Sequence, residues 1–139
     1  MKTKKVILNK CYGGFDVSSE AYKLYAKKKG YKLFKYYKPP FECCFERIAL
    51  NEETLLAHYF VKDFGKSAEI SSKDYAKYEL YLNADHREDP TLIEVVEELG
   101  AKASGDFGKL KVVEIPYDLD YVIDEYDGFE TLHQKVQEW

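Results

Sequence analysis

The pattern of hydrophobic and polar positions predicts alternating strands and helices in the first part of the chain. Residues 4–9 form a short β-branched and apolar run that is typical of a buried strand, and the Gly13-Gly14 pair follows it. A helix is predicted over 18–29, where a serine cap and a first-turn glutamate precede three lysines and a glycine. Aromatic residues alternating over 31–37 predict a second strand, so we expect a β-loop-α-β unit with a right-handed parallel crossover.

The second half of the chain carries the best-specified helix. Asp89 as N-cap, a proline at the first helical position, apolar residues at helical spacing and a final glycine predict a helix over 90–99. Apolar runs at 110–115 and 121–126 predict two strands joined as a hairpin, and a short helix over 130–138 is expected to end the chain.

The middle of the chain has less regular patterning. Strands are predicted at 45–50 and 75–82, with a helical turn at 52–58. Taken together, the elements predict a single α/β domain of 139 residues with one mixed β-sheet, although a mixed α+β arrangement is left open.

Composition narrows the class of protein. With 45% hydrophobic and 33% charged residues, the chain is expected to fold around one core. No apolar run is long enough to span a membrane, and three cysteines, two of them adjacent, do not suit a disulfide framework, so we expect a cytoplasmic protein. A net charge of −4 argues against binding to long nucleic acid, and 16% aromatic residues leave room for a homo-oligomer interface.

Two helix starts suggest where a ligand binds. The glycine pair lets a ligand approach the backbone at the end of a strand, and the amides there and at the next helix start favour an anion. Arg87 lies at the start of the second helix, where a guanidinium and backbone amides meet. Flanking aromatic side chains suit a nucleotide-like molecule. The candidate ligand-binding residues are Asn9, Lys10, Cys11, Tyr12, Gly13, Gly14, Phe15, Arg87 and Asp89. Alternatively, the glycines only make a tight turn, Asp89 only caps the helix, and Arg87 pairs with Glu88 or solvent.

Other reactive residues are weaker candidates. Cys11 is a possible nucleophile, but a lone cysteine is more often a small buried hydrophobe. The three histidines lack metal-site spacing, so we expect no metal, no cofactor and no catalytic set. Carboxylates cluster near the carboxyl end and are interpreted as a solvated face, with acid/base catalysis or a divalent cation as alternatives. They are Asp118, Asp120, Asp124, Glu125 and Asp127.

Several segments resemble a group of small phage and prophage accessory proteins that are largely uncharacterised. They are Asn9-Lys-Cys-Tyr-Gly-Gly-Phe, Arg87-Glu-Asp-Pro with the Leu92-Ile-Glu-Val-Val-Glu-Glu-Leu-Gly helix, Val112-Val-Glu-Ile-Pro and Glu125-Tyr-Asp-Gly. The resemblance covers about the first 30 and the last 55 residues, by analogy only. It implies a phage origin and action on host physiology or defence, and it carries over no catalytic residues.

Three functional hypotheses follow. The first is a protein that binds a small anionic, nucleotide-derived molecule without turnover, as a sponge for a defence signal. The second is a small hydrolase or transferase acting on a nucleotide-like substrate with Cys11 or Asp89. The third is an inhibitor that binds a host enzyme through the acidic hairpin, with Asp118 and Asp120 in the contact surface.

Overall fold

The computed structural model describes residues 2–54 and 57–135, which form two compact units. Unit 1 comprises the chain up to Tyr25 and from Leu82 onward, and unit 2 comprises Ala26–Tyr81. The mixture of helices and antiparallel sheets confirms the predicted combination of helices and strands, in the mixed α+β arrangement that the sequence left open. The single domain expected from chain length stays a prediction.

The elements alternate along the chain with short connections. The helices are α1 (Ser19–Lys29), α2 (Ser72–Tyr78) and α3 (Pro90–Leu99). The strands are β1 (Thr3–Asn9), β2 (Phe34–Tyr37), β3 (Phe45–Ile48), β4 (Ala57–Phe60), β5 (Ser67–Ala68), β6 (Leu110–Pro116), β7 (Tyr121–Tyr126) and β8 (Phe129–Gln134).

Unit 1 is built on the antiparallel pair β1 and β6. Val6 and Leu8 of β1 pack with Ile115 of β6, and this cluster is covered by apolar side chains of the hairpin that β7 and β8 form. Helix α3 lies against both strands and buries its apolar stripe, including Leu92 and Val95. Because successive side chains of β1 point to opposite faces of the sheet, β1 packs against the hairpin on one face and against α3 on the other.

The hairpin of unit 1 differs from the predicted one. We expected 110–115 to pair with 121–126, but β6 pairs with β1, and β7 pairs with β8 across the two-residue turn Asp127-Gly128. Positive φ angles of 51° and 90° at these turn residues match the left-handed backbone that Asp-Gly hairpin turns require. The helix predicted over 130–138 is also wrong, since β8 extends to Gln134; residues 136–139 lie outside the described residues.

Unit 2 has an antiparallel sheet in the order β4-β2-β3-β5. Its core is aromatic: Tyr36, Phe45 and Phe60 are buried and meet edge to face. Helix α2 begins after Ser71, whose hydroxyl accepts the N–H of Asp74 at 3.2 Å. The aromatic rings supply most of the apolar surface that such a small sheet is able to bury.

Several predicted elements are corrected by these sheets. The single mixed sheet is replaced by three antiparallel sheets, and β1 and β2 lie in different sheets, so the parallel β-loop-α-β unit does not form. The strand predicted at 75–82 overlaps α2 instead, and the helical turn predicted at 52–58 overlaps the start of β4. Part of that turn, 55–56, lies outside the described residues.

The two helices with strong end signals are confirmed. Helix α1 begins after Ser18, whose hydroxyl accepts the N–H of Ala21 at 3.1 Å. Helix α3 begins at Pro90 with Asp89 as its N-cap. Within the described part of the chain, none of the helices has the length and apolar character needed to cross a bilayer.

Candidate functional site

The glycine pair after β1 brings three loops of unit 1 together. The N–H of Gly13 donates to the carbonyl of Asp127 at 3.1 Å, and the N–H of Gly14 donates to the carbonyl of Phe107 at 3.0 Å. A Cβ on Gly13 would stand 2.1 Å from the carbonyl oxygen of Phe107, and one on Gly128 would stand 2.4 Å from that of Gly13. The absence of a side chain at Gly13 and Gly128 therefore allows the backbones of these loops to pack closely. The N–H groups of Gly13 and Gly14 already have acceptors within the chain.

Asn9 ties the same loops together from inside. Its side chain is fully buried, and its amide nitrogen donates to the carbonyls of Cys11 at 3.0 Å and Gly128 at 2.6 Å. Its amide oxygen accepts the N–H of Lys109 at 2.8 Å. Because each of these groups is buried and paired, Asn9 acts as an internal brace rather than as an exposed ligand contact.

Arg87 and the backbone of Asn9 converge on one negative group, the carboxylate of Glu130. Two guanidinium nitrogens of Arg87 donate to Glu130 at 3.1 and 2.8 Å, and the N–H of Asn9 donates to it at 2.9 Å. Arg87 also donates to the carbonyl of Ile7 at 2.9 Å. The Glu130 side chain is 8% exposed and that of Arg87 16%. Arg87 and the Asn9 N–H thus converge on the chain's own carboxylate, whereas the predicted glycine amides donate to other loops.

Lys10 and Phe15 complete this arrangement. The Lys10 ammonium donates to the backbone carbonyl of Glu130 at 2.7 Å and lies 5.2 Å from the centre of the Phe129 ring. The Arg87 guanidinium lies 5.6 Å from the centre of the Phe15 ring. Both cations are therefore held between an oxygen acceptor and an aromatic face, which orients them inside unit 1.

The other predicted site residues have local roles. Asp89 accepts the N–H of Thr91 at 2.9 Å and the hydroxyl of Tyr25 at 2.6 Å, so it caps α3. The Cys11 thiol donates to the carbonyl of Phe107 at 3.4 Å and lies 3.6 Å from the side-chain oxygen of Asn9. Its partners are amide oxygens rather than an imidazole or a carboxylate.

The structure thus brings Asn9, Lys10 and Arg87 to Glu130, with Phe15 beside Arg87. The remaining predicted residues contact other parts of unit 1: Cys11, Gly13 and Gly14 bind neighbouring loops, Tyr12 lies beside Phe129, and Asp89 lies at the α3 start. Sequence reasoning missed Glu130 because it was assigned to a helix. Its signal was a lone acid between Phe129 and Thr131 on the strand that follows an Asp-Gly turn.

Exposed aromatic side chains surround the place where the three loops meet. Tyr12, Phe107 and Tyr126 are 71%, 64% and 77% exposed. Each belongs to a segment that the Gly13 and Gly14 hydrogen bonds join. The ring centres of Tyr12 and Phe129 are 5.5 Å apart. Exposed carboxylates lie next to Phe107 and Tyr126 in the sequence. We name this region the tip surface; it consists of Tyr12, Asp106, Phe107, Glu125, Tyr126 and Asp127.

At the other end of β7, a tyrosine and a carboxylate join the hairpin to the loop before α3. The Tyr121 hydroxyl donates to Glu88, and the Lys4 ammonium lies 3.4 Å from the same carboxylate. Burial and the neighbouring Glu88 charge raise the pKa of Tyr121 to about 12. The hydrogen bond from Tyr121 and, to a smaller extent, the Lys4 ammonium hold the pKa of Glu88 below its usual range.

No cluster of three or more histidine, cysteine, aspartate or glutamate side chains suited to a metal ion occurs among residues 2–54 and 57–135. No protein-family model, curated protein or solved structure matches this chain. The resemblance to phage accessory proteins therefore stays a prediction.

Proposed function

We propose that this protein works by binding a partner protein through the tip surface, without turning over a substrate. The observation that carries the proposal is the set of three aromatic side chains, Tyr12, Phe107 and Tyr126, each more than 60% exposed on adjoining loops. Aromatic anchors surrounded by polar groups dominate the binding energy of protein interfaces. Single exposed aromatics need no explanation, but three on adjoining loops favour an interaction site.

The scaffold beneath the tip surface supports this proposal. The Arg87–Glu130 pair, the Asn9 side chain and the glycine contacts hold the loops in one arrangement. A surface that is ordered before binding loses less conformational entropy when the partner arrives. In this proposal Asn9, Gly13 and Arg87 hold the loops that carry the tip surface.

Charge indicates what kind of partner fits. Three of the six tip residues are exposed carboxylates, Asp106, Glu125 and Asp127, so a partner with a basic surface would be attracted and oriented. The resemblance to phage accessory proteins makes a host enzyme with such a basic surface the partner class that we propose. Inhibition would follow from occlusion of that surface.

The test compares matched variants in capture from host lysate, followed by binding measurements with the purified captured protein. We expect Tyr12→Ser and Tyr126→Ser each to weaken binding at least about tenfold, because aromatic anchors carry much of the affinity. Tyr81→Ser is the control, since Tyr81 is 58% exposed but lies outside the tip surface. If both tip variants bind every captured protein as the native chain does, the proposal is wrong.

A second candidate is the binding of a small nucleotide-like anion, and one observation favours it. The Glu130 carboxylate lies where Arg87 and the Asn9 N–H offer three donors to an anion, beside the Phe15 ring. An external phosphate or carboxylate would have to replace it. Equilibrium dialysis with a nucleotide panel tests this, followed by heating to check that the ligand is recovered intact. Tighter capture by Glu130→Gln than by the native chain is expected, and no capture by either removes this candidate.

A further inference from the structure

The outer edge of β1 is open at its first residues. In an antiparallel pair, alternate residues direct their N–H and C=O groups toward the partner strand or away from it. Ile7 points away from β6, because its N–H donates to the carbonyl of Arg87 and its carbonyl accepts from the Arg87 guanidinium, both at 2.9 Å. Thr3 and Lys5 share this orientation. Their N–H and C=O groups have no hydrogen-bond partner within residues 2–54 and 57–135.

A shallow groove of about 550 Å³ includes both residues of this open edge in its lining. Thr3 and Lys5 line it together with Glu114 of the neighbouring strand β6, and α3 contributes Ile93, Glu94 and Glu97. Ile93, which is 8% exposed, lies between charged neighbours in the lining of the groove. The groove thus combines free backbone donors and acceptors with room for side chains.

The charges along the groove are mainly negative. Four glutamates and two lysines line it. The Lys5 ammonium pairs with Glu97 at 2.9 Å, and Lys4 lies 3.4 Å from Glu88. The carboxylates therefore outnumber the cations, and the groove complements a positively charged occupant.

We propose that this groove binds an extended, basic peptide segment of a partner protein, which adds a strand to β1 beside Thr3 and Lys5. Strand addition uses backbone hydrogen bonds for affinity and alternate side chains for selectivity. The opposite edge of the sheet is closed at its two ends, because Ser104 already accepts the N–H of Leu110 at 2.8 Å and Pro116 has no N–H to offer. The proposal goes beyond the tip surface and shares no residue with it.

A labelled synthetic peptide of alternating lysine and valine tests the proposal with the full chain, by fluorescence anisotropy. A second peptide carries N-methyl groups on the amides that would face β1, and a third has glutamate in place of lysine. We expect the N-methylated peptide to bind at least about tenfold more weakly than the parent, because two backbone hydrogen bonds are lost. The glutamate peptide should bind more weakly still.

Variants of α3 locate the binding site. Glu94 and Glu98 are both exposed on α3, but only Glu94 lines the groove. Glu94→Lys should weaken binding of the parent peptide about tenfold, whereas the matched control Glu98→Lys should bind nearly as the native chain does. In NMR spectra, the amides of Thr3 and Lys5 should become protected from hydrogen exchange when the parent peptide binds.

Several results would overturn the proposal: no binding of the parent peptide at millimolar concentration, equal binding of the N-methylated peptide, or unchanged exchange at Thr3 and Lys5. A dimer in sedimentation experiments that Glu94→Lys dissociates would also overturn it, since a second copy of the chain would then occupy the edge. Tyr126→Ser should leave peptide binding intact, so failure at the tip surface and failure at the groove are distinguishable.

Discussion

Gly13 and Gly14 are neighbours in sequence but differ in what surrounds them. A Cβ on Gly13 would meet the backbone of Phe107 at 2.1 Å, whereas nothing lies within 4 Å of a Cβ on Gly14. Neither residue is among the glycines with positive φ, so steric space alone separates them. We expect Gly13→Ala to lower the free energy of unfolding by about 1–3 kcal/mol, and Gly14→Ala to change it by less than about 0.5 kcal/mol.

Urea denaturation of the two variants measures this difference. The pair controls for loop entropy, because both substitutions remove a glycine from the same turn. Equal stability of the two variants would mean that the Gly13 turn does not pack against Phe107 as the structure has it.

The Arg87–Glu130 pair is largely buried, with 16% and 8% of the two side chains exposed. Removing one partner leaves the other charge buried without compensation, so Glu130→Ala and Arg87→Ala should each lower the free energy of unfolding by about 3–5 kcal/mol. The double variant should lose much less than the sum of the two. Asp118→Ala, at an exposed position, is the control and should change stability by less than about 0.5 kcal/mol.

A double-mutant cycle in urea denaturation gives the coupling energy directly. Additive losses in the double variant would show that Arg87 and Glu130 do not stabilise one another, and the brace under the tip surface would lose its basis.

At the scale of single residues, the sequence predicted the hydrogen-bond donors of this ion-pair cluster but not the carboxylate that accepts from them. Asn9 and Arg87 were identified from local signals, a strand end and a helix start. Their shared acceptor, Glu130, is 43 positions beyond Arg87 in the chain. No local pattern links those positions, because the contact depends on how β8 pairs with β7 and packs beside β1.

At the scale of elements, the bond between Tyr121 and Glu88 joins β7 to the start of α3. The pKa of Tyr121 is raised to about 12, so its neutral form is favoured in the folded state. Below pH 10 the hydroxyl is protonated in both the folded and the unfolded chain, so its full contribution to the free energy of unfolding is present. Between pH 10 and about 12 the unfolded chain loses the proton first, and stability should fall as pH rises.

Tyr121→Phe should reduce this alkaline loss of stability, while being less stable than the native chain near neutral pH. Urea midpoints measured from pH 9 to pH 11.5 test the prediction. Tyr117→Phe is the matched control, since Tyr117 is 61% exposed. Identical pH profiles for the native chain and Tyr121→Phe would count against the Tyr121–Glu88 bond.

Helix ends were predictable because their signals are local. The cap Asp89, the following proline and the final glycine place α3 correctly, and a serine and three lysines do the same for α1. Strand pairing was not predictable in the same way. Apolar runs identified β6 and β7, but nothing in them shows that β1, more than 100 residues away, is the partner of β6.

Helix α2 lies where the sequence predicted the start of a strand. Its aromatic residues resemble a strand, yet Ser71 caps a short helix whose Tyr75 and Tyr78 pack on the unit 2 core. Aromatic residues favour strands only weakly, and tertiary packing overrides that preference.

At the scale of the whole molecule, each unit buries its own hydrophobic cluster, and both proposed binding surfaces belong to unit 1. The unit 1 cluster consists of aliphatic side chains of β1 and β6, whereas the unit 2 cluster consists of aromatic rings. The tip surface and the β1 groove are therefore expected to depend on the aliphatic cluster and its Arg87–Glu130 brace.

Phe60 provides the last prediction. It is fully buried, and its ring lies 5.5 Å from Tyr36 and from Phe64 and 5.6 Å from Tyr75. Phe60→Ala removes those contacts and should lower the local stability of unit 2 by about 3–5 kcal/mol. Native-state hydrogen exchange should then speed up at amides of β2 and β4 and change little at amides of β1 and β6. Leu8→Ala is the reciprocal variant and should affect β1 and β6 first. An equal increase at all four strands in both variants would contradict separate stabilisation, because both clusters would then unfold in one cooperative step, as a single domain of this length is expected to do.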